Sequence, residues 1–85
     1  IAVVRTRGAS MGVGIAVVDP ADAALPLERA CGLLLQYPTT DGRLVDERAL
    51  IGRAQAAGAR VVMAADILAL ALVVPPGELG ADIAV

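Results

Sequence analysis

The apolar residues fall in short blocks separated by turn formers. Ile15-Ala16-Val17-Val18 is a β-branched run and predicts a strand. Gly32-Leu33-Leu34-Leu35-Gln36 predicts a second, with the unbroken apolar character of a strand buried on both faces. Val61-Val62-Met63-Ala64 predicts a third, and Asp82-Ile83-Ala84-Val85 begins a fourth. Between the second and third, Leu50, Ile51, Ala54 and Ala57 recur at helical spacing. They predict a helix over Glu47 to Ala57, capped by Asp46 and stopped by Gly58. Asp46 and Glu47 lie where the helix dipole favours acids. After the third strand, Asp66 is placed to cap a second apolar helix reaching about Val73, with Pro75-Pro76-Gly77 as its stop. Glu78 to Ala81 then reads as a connector. Near the start, Val3, Val4 and Met11 with Arg5, Arg7 and Ser10 fit the tail of an amphipathic helix ending at Gly12. Asp19-Pro20 opens one helical turn over Ala21 to Ala24, which ends before Pro26. The alternation of strands with helical connections predicts an α/β fold, a partial parallel sheet with right-handed crossover helices.

The 85 residues begin at Ile1 and end at Val85 inside an apolar run, so both ends read as cut. Residues 1–85 are therefore expected to be a fragment of one α/β large domain. The mean hydropathy is +0.75, carried by Ala, Val, Leu and Ile, and Tyr37 is the single aromatic residue. Stacking on bases has no platform here. All seven basic residues are arginines scattered from Arg5 to Arg60, and the net charge is −2. No nucleic-acid partner is expected. One cysteine and no histidine leave no internal disulfide and no zinc set. Cys31, beside Gly32 and an apolar run, reads as a small core residue. It favours a reducing compartment. The run from Val61 to Val74 is about 14 residues and is broken by Asp66, short of the roughly 20 that a membrane span needs. No membrane partner is expected.

Candidate chemistry is sparse. Gly8, Gly12 and Gly14 precede a strand instead of following one, which is the wrong order for a dinucleotide loop. Tyr37-Pro38-Thr39-Thr40-Asp41-Gly42 leaves the carboxyl end of a parallel strand, the edge where open α/β sheets bind ligands. Tyr37, Thr39 and Thr40 are candidates for such an edge or for an interface. Asp66 lies past the next strand end and is either a helix cap or a ligand-facing acid. Glu78 is the one acid of the Pro-Pro-Gly-Glu turn. There is no lysine, and Ser10 has no base beside it, so Schiff-base and triad chemistry are excluded within these residues. No catalytic, cofactor-binding or metal-binding residue is expected.

Leu34-Leu35-Gln36-Tyr37-Pro38-Thr39-Thr40-Asp41-Gly42-Arg43 resembles the strand-and-loop signature of glycine decarboxylases, the P-proteins of the glycine cleavage system. Ala64-Ala65-Asp66-Ile67-Leu68-Ala69-Leu70 and Pro75-Pro76-Gly77-Glu78-Leu79-Gly80-Ala81-Asp82-Ile83 resemble the same family in the same order. Arg5-Thr6-Arg7, Met11-Gly12 and the valine-rich run to Asp19 also fit. Gln55, Val74 and Gly14 depart from the family pattern, where histidine, a basic or polar residue and a charged residue are usual. The resemblance implies a piece of a fold-type-I pyridoxal-phosphate enzyme that decarboxylates glycine and passes the aminomethyl group to the lipoyl arm of H-protein. It implies two related halves, on one chain or two, of which one holds pyridoxal phosphate through a lysine. Ala64 stands where the cofactor-bearing half has its pyridine-pairing acid. The resemblance therefore points to the N-terminal, cofactor-free half, a structural piece whose partner is the catalytic half. The arginine- and alanine-rich bias suggests a GC-rich bacterial source and a cytoplasmic location. Two alternatives are another fold-type-I enzyme and a non-enzymatic α/β interaction module.

Overall fold

The computed structural model describes all 85 residues. Helix α1 spans Ala2–Ser10, strand β1 Gly32–Tyr37, helix α2 Arg48–Ala56 and strand β2 Arg60–Ala65. A short helix α3, Pro76–Leu79, leads to strand β3, Ile83–Ala84. Single 3-10 turns occur at Leu27–Arg29 and Ala69–Ala71. The sheet order is β1-β2-β3 and both pairings are parallel, as the alternation of elements predicts. Leu34 lies opposite Val62, and Val62 opposite Ile83.

Helix α2 is the crossover between β1 and β2. Leu50, Ile51 and Ala54 form its buried stripe, one helical face as the spacing requires. Ala57, expected on that face, is exposed because the helix has already ended there. Gly58 takes φ 89°, and the Ala59 N–H turns back to the Ala54 carbonyl at 2.9 Å, closing the end. At the start, Asp46 accepts the Arg48 N–H at 3.1 Å. The core joins the α2 stripe to Leu35, Tyr37, Val61 and Met63 of the sheet and to Leu79 of α3. Leu25 and Leu27 close it from the long connection, which Arg53 ties down by donating to the Ala23 carbonyl at 3.0 Å.

Several expectations are corrected. Ile15–Val18 is not a strand: no backbone group of that run is bonded to another strand. β-branching favours a pleated surface only where a ladder partner exists. Ala21–Ala24 forms turns held by the Asp19 and Asp22 carboxylates, which bond the N–H groups of Ala21 and Ala24 and compete with a helix. β1 is buried on one face only, with Leu33, Leu35 and Tyr37 inward and Leu34 exposed. The apolar helix expected after Asp66 is a single 3-10 turn, and Ile67, Leu68 and Leu72 are exposed. So short a segment needs a surface to pack against, and none lies over it. Conversely, Pro76 opens a helical turn where a stop and connector were expected, since proline suits the first turn. α1 is not amphipathic in its packing. Only Gly8 is buried, against Ile15, while Val3 and Met11 face outward. Cys31 is exposed, not core, because it precedes β1 at the sheet margin.

Ile51 is almost fully buried at the centre of the core. Ile51→Ala should lower the stability of the polypeptide by about 2–4 kcal/mol in equilibrium urea unfolding. A loss below about 1 kcal/mol would mean that this helix face does not carry the core.

Candidate functional site

The residues singled out from sequence do not form one constellation. Tyr37, Thr39, Thr40 and Asp66 gather at the carboxyl-terminal margin of β1 and β2, where the Asp66 N–H donates to the Tyr37 carbonyl at 3.1 Å. Glu78 stands apart, exposed on α3.

Tyr37, Thr39 and Asp66 each have a structural task, while Thr40 is exposed and reaches only Gln36, at 3.5 Å. Tyr37 is only 7% exposed and its ring belongs to the core. Beside it, Leu44, Val45, Asp46, Arg48, Val74 and Leu79 line a shallow cavity of about 280 Å³. The Thr39 hydroxyl donates to Asp41 at 2.5 Å and accepts the Arg43 N–H at 2.9 Å. The Arg43 guanidinium meets Asp41 at 2.7 Å. Residues 39–43 thus form a turn closed by its own side chains. The Thr39 hydroxyl and then Arg43 hold the Asp41 carboxyl below its ordinary range. Asp66 accepts the Leu68 N–H at 3.0 Å, so its carboxylate caps the turn that follows. The apolar helix that Asp66 was expected to cap is not formed, and its carboxylate closes a local turn instead.

The best-organised polar group is one that sequence reasoning did not single out. The Asp82 carboxylate, 19% exposed, accepts three hydrogen bonds. The Val61 N–H donates at 2.8 Å, Gln55 Nε2 at 3.1 Å and the Arg60 guanidinium at 3.0 Å. Gln55 Nε2 also donates to the Gly80 carbonyl at 2.8 Å. In return, the Asp82 N–H donates to the Val61 carbonyl at 2.9 Å. Asp82 therefore clamps the start of β3 onto β2 and ties both to the end of α2. Gly80, at φ 101°, makes the bend that delivers it. The signal lay in the sequence: a lone acid between Gly80-Ala81 and an apolar strand, with Arg60 opening the preceding strand.

The Val61 N–H, then Gln55, then Arg60 push the Asp82 pKa down from 3.8 to about 2. All three bonds favour the charged form. A depressed folded-state pKa means stability that is present above the unfolded value, near pH 4, and lost as pH falls toward 2. Asp82→Asn should flatten the fall in stability between about pH 4 and pH 2, measured by urea unfolding across that window. An unchanged slope would show that the clamp does not bind its proton differently in the two states.

No cluster of three acid or thiol ligands could hold a metal ion. No helix is long and apolar enough to cross a membrane. The family model of the glycine cleavage system P-protein matches residues 1–85. The chain is similar to the glycine dehydrogenase (decarboxylating) of Thermosynechococcus vestitus, at 53% identity over all of this chain and 9% of that protein. It is similar to the proteins of the same name from Rhodopseudomonas palustris and Paraburkholderia xenovorans, at 52% and 51% identity over all of this chain and 8% of each. The chain thus spans less than a tenth of the length of these relatives. The blocks around Tyr37 and Pro75, which resemble this family in sequence, fall within a match that runs the length of the chain. The chain belongs to the glycine cleavage system P-protein family.

Proposed function

We propose that residues 1–85 are a structural, non-catalytic part of the large parallel-sheet domain of a glycine decarboxylase of the fold-type-I class. The full-length protein would decarboxylate glycine and transfer the aminomethyl group to the lipoyl arm of H-protein. The observation that carries this is the family match over the whole chain, joined to relatives named glycine dehydrogenase (decarboxylating). On this reading the protein works in the bacterial cytoplasm, with the catalytic half of the P-protein as its immediate partner.

Pyridoxal phosphate supplies the electron sink for such a decarboxylation. The residues present do not fit that group. The chain has no lysine to hold it. Ala64 and Ala65 close β2, and the first acid after them, Asp66, is engaged with the Leu68 N–H. The Tyr37 ring, at the end of β1, is packed in the core. On this reading the cofactor is held by the other half, and no step of the reaction is assigned to a side chain here. What these residues supply is position. The clamp at Asp82 and the closed turn at Thr39 to Arg43 fix both ends of a small sheet.

The test uses a full-length P-protein that contains this segment. Thr39→Ala, Thr40→Ala, Asp66→Asn and Glu78→Gln should each keep kcat for glycine-dependent carbon dioxide exchange within about three-fold of the parent. A loss above about 100-fold at Asp66 or Thr40, with folding intact by circular dichroism, would place a reacting group in this segment.

A further inference from the structure

Tyr37 combines a buried ring with a hydroxyl that has no partner. The residue is 7% exposed, and its ring packs inward with Leu35. The hydroxyl makes no hydrogen bond within the chain, yet no buried side-chain polar atom is left unpaired, so it reaches the surface. The surface it meets is the shallow cavity of about 280 Å³ that Tyr37 lines, between the start of α2 and the turn into α3. Leu44, Val45, Val74 and Leu79 make the walls apolar, and Asp46 and Arg48, both more than half exposed, complete them. We propose that this cavity is a binding site for a free α-amino acid with a short branched aliphatic side chain, such as L-leucine. The proposal does not depend on the decarboxylase reading and assigns no step of that reaction.

The polar groups match a zwitterion. Arg48 meets Asp46 at 3.3 Å, the longest of the chain's ion pairs; the others close at 2.7 and 3.0 Å. That contact is the one side-chain bond of Arg48, made through a single guanidinium nitrogen. Its remaining N–H groups and the Tyr37 hydroxyl are free to donate to a carboxylate. Asp46 is held in place by the Arg48 backbone N–H, which donates to one of its oxygens at 3.1 Å. The carboxylate keeps lone pairs for an ammonium group. An exposed ion pair contributes little by itself, so a ligand that inserts between its members forfeits little. A lone carboxylate would meet Asp46 and a lone amine would meet Arg48, each a like charge. A free α-amino acid carries both charges on one carbon and satisfies both residues.

Size and wall chemistry select the side chain. A volume of about 280 Å³ lies under the roughly 300 Å³ at which pockets for drug-sized ligands begin. It admits a small metabolite and no cofactor. Leu79 is buried at its base, and Leu44, Val45 and Val74 present partly exposed methyl groups that a branched aliphatic chain would cover. Glycine offers these walls nothing. The frame is set before any ligand arrives. The closed turn at Thr39 to Arg43 precedes Leu44, and Pro75 and Pro76 fix the backbone just after Val74.

The experiment uses the full-length protein. Saturation-transfer NMR on the methyl groups of L-leucine should show saturable binding with a Kd on the order of 1 mM, as suits a shallow site. Isovalerate, which lacks the ammonium, and isoamylamine, which lacks the carboxylate, should each bind at least about ten-fold more weakly. A large excess of glycine should not displace L-leucine. Tyr37→Phe, which keeps the ring in the core, should weaken L-leucine binding about three- to ten-fold, and Arg48→Ala at least about ten-fold. Circular dichroism of both variants should match the parent. Absence of saturable binding, displacement by glycine or equal binding of either singly charged analogue overturns the site. So does unchanged affinity in either variant that folds.

Discussion

The parallel register of β2 between β1 and β3 is the constraint on which the rest of the structure depends. It sets Val61 and Met63 inward beside Leu35, and it gives α2 a surface to bury. A one-residue slip would invert every side chain of a strand, exchanging Val61 and Met63 for Arg60, Val62 and Ala64. The observed facing keeps Arg60 outside and the α2 stripe covered. Asp82 reinforces that choice from the side, because its carboxylate takes the Val61 N–H while its own N–H reaches the Val61 carbonyl. A two-residue strand such as β3 has too few ladder bonds to define its place alone. The carboxylate, with Gln55 and Arg60, adds the contacts that do so.

The same constraint explains why so apolar a chain has so small a core. Eleven apolar side chains are buried, all on one side of the sheet or in the connection beneath it. Leu34, Ile83, Ile67, Leu68 and Leu72 are exposed, Leu72 at 91%. Surfaces of this kind mark contacts with further polypeptide. A protein family whose members are more than ten times longer provides a physical context for them. The polar groups of the segment are engaged locally: a closed turn at Thr39 to Arg43, a turn at Asp66 and a clamp at Asp82.

The β1-α2-β2 unit was legible in the sequence because its signals are local and mutually consistent. The α2 stripe has one helical period, Gly58 ends it, and the flanking runs are too short and too branched to be helices. Ile15–Val18 and residues 67–73 depart from their pattern for the opposite reason. Their hydrophobicity is real, but an apolar run becomes a strand or helix only where a neighbour covers it, and no neighbour among these residues does. Cys31 was misplaced because type and context cannot tell the margin of a strand from its centre. A lone acid ahead of an apolar strand marks Asp82 in the sequence, but its partners Gln55 and Arg60 lie more than twenty residues away and no spacing rule links them. Gln55 was noticed only as a departure from the family pattern, yet its side chain joins α2 to the clamp. The sequence pattern did place Tyr37, Thr39, Thr40 and Asp66 at one sheet margin, where the Asp66 N–H meets the Tyr37 carbonyl.

Disulfide trapping in the full-length polypeptide tests the parallel register most directly. In a Cys31→Ser background, Leu34→Cys with Val62→Cys pairs positions that face each other across neighbouring strands, a separation of about 5 Å that a disulfide can bridge. Gly32→Cys with Ala65→Cys pairs positions at opposite ends of parallel strands. Rapid bridging of the first pair is expected on mild oxidation, and none of the second. Bridging of the second pair without the first would mean that the strands run in opposite directions, and the account would be wrong.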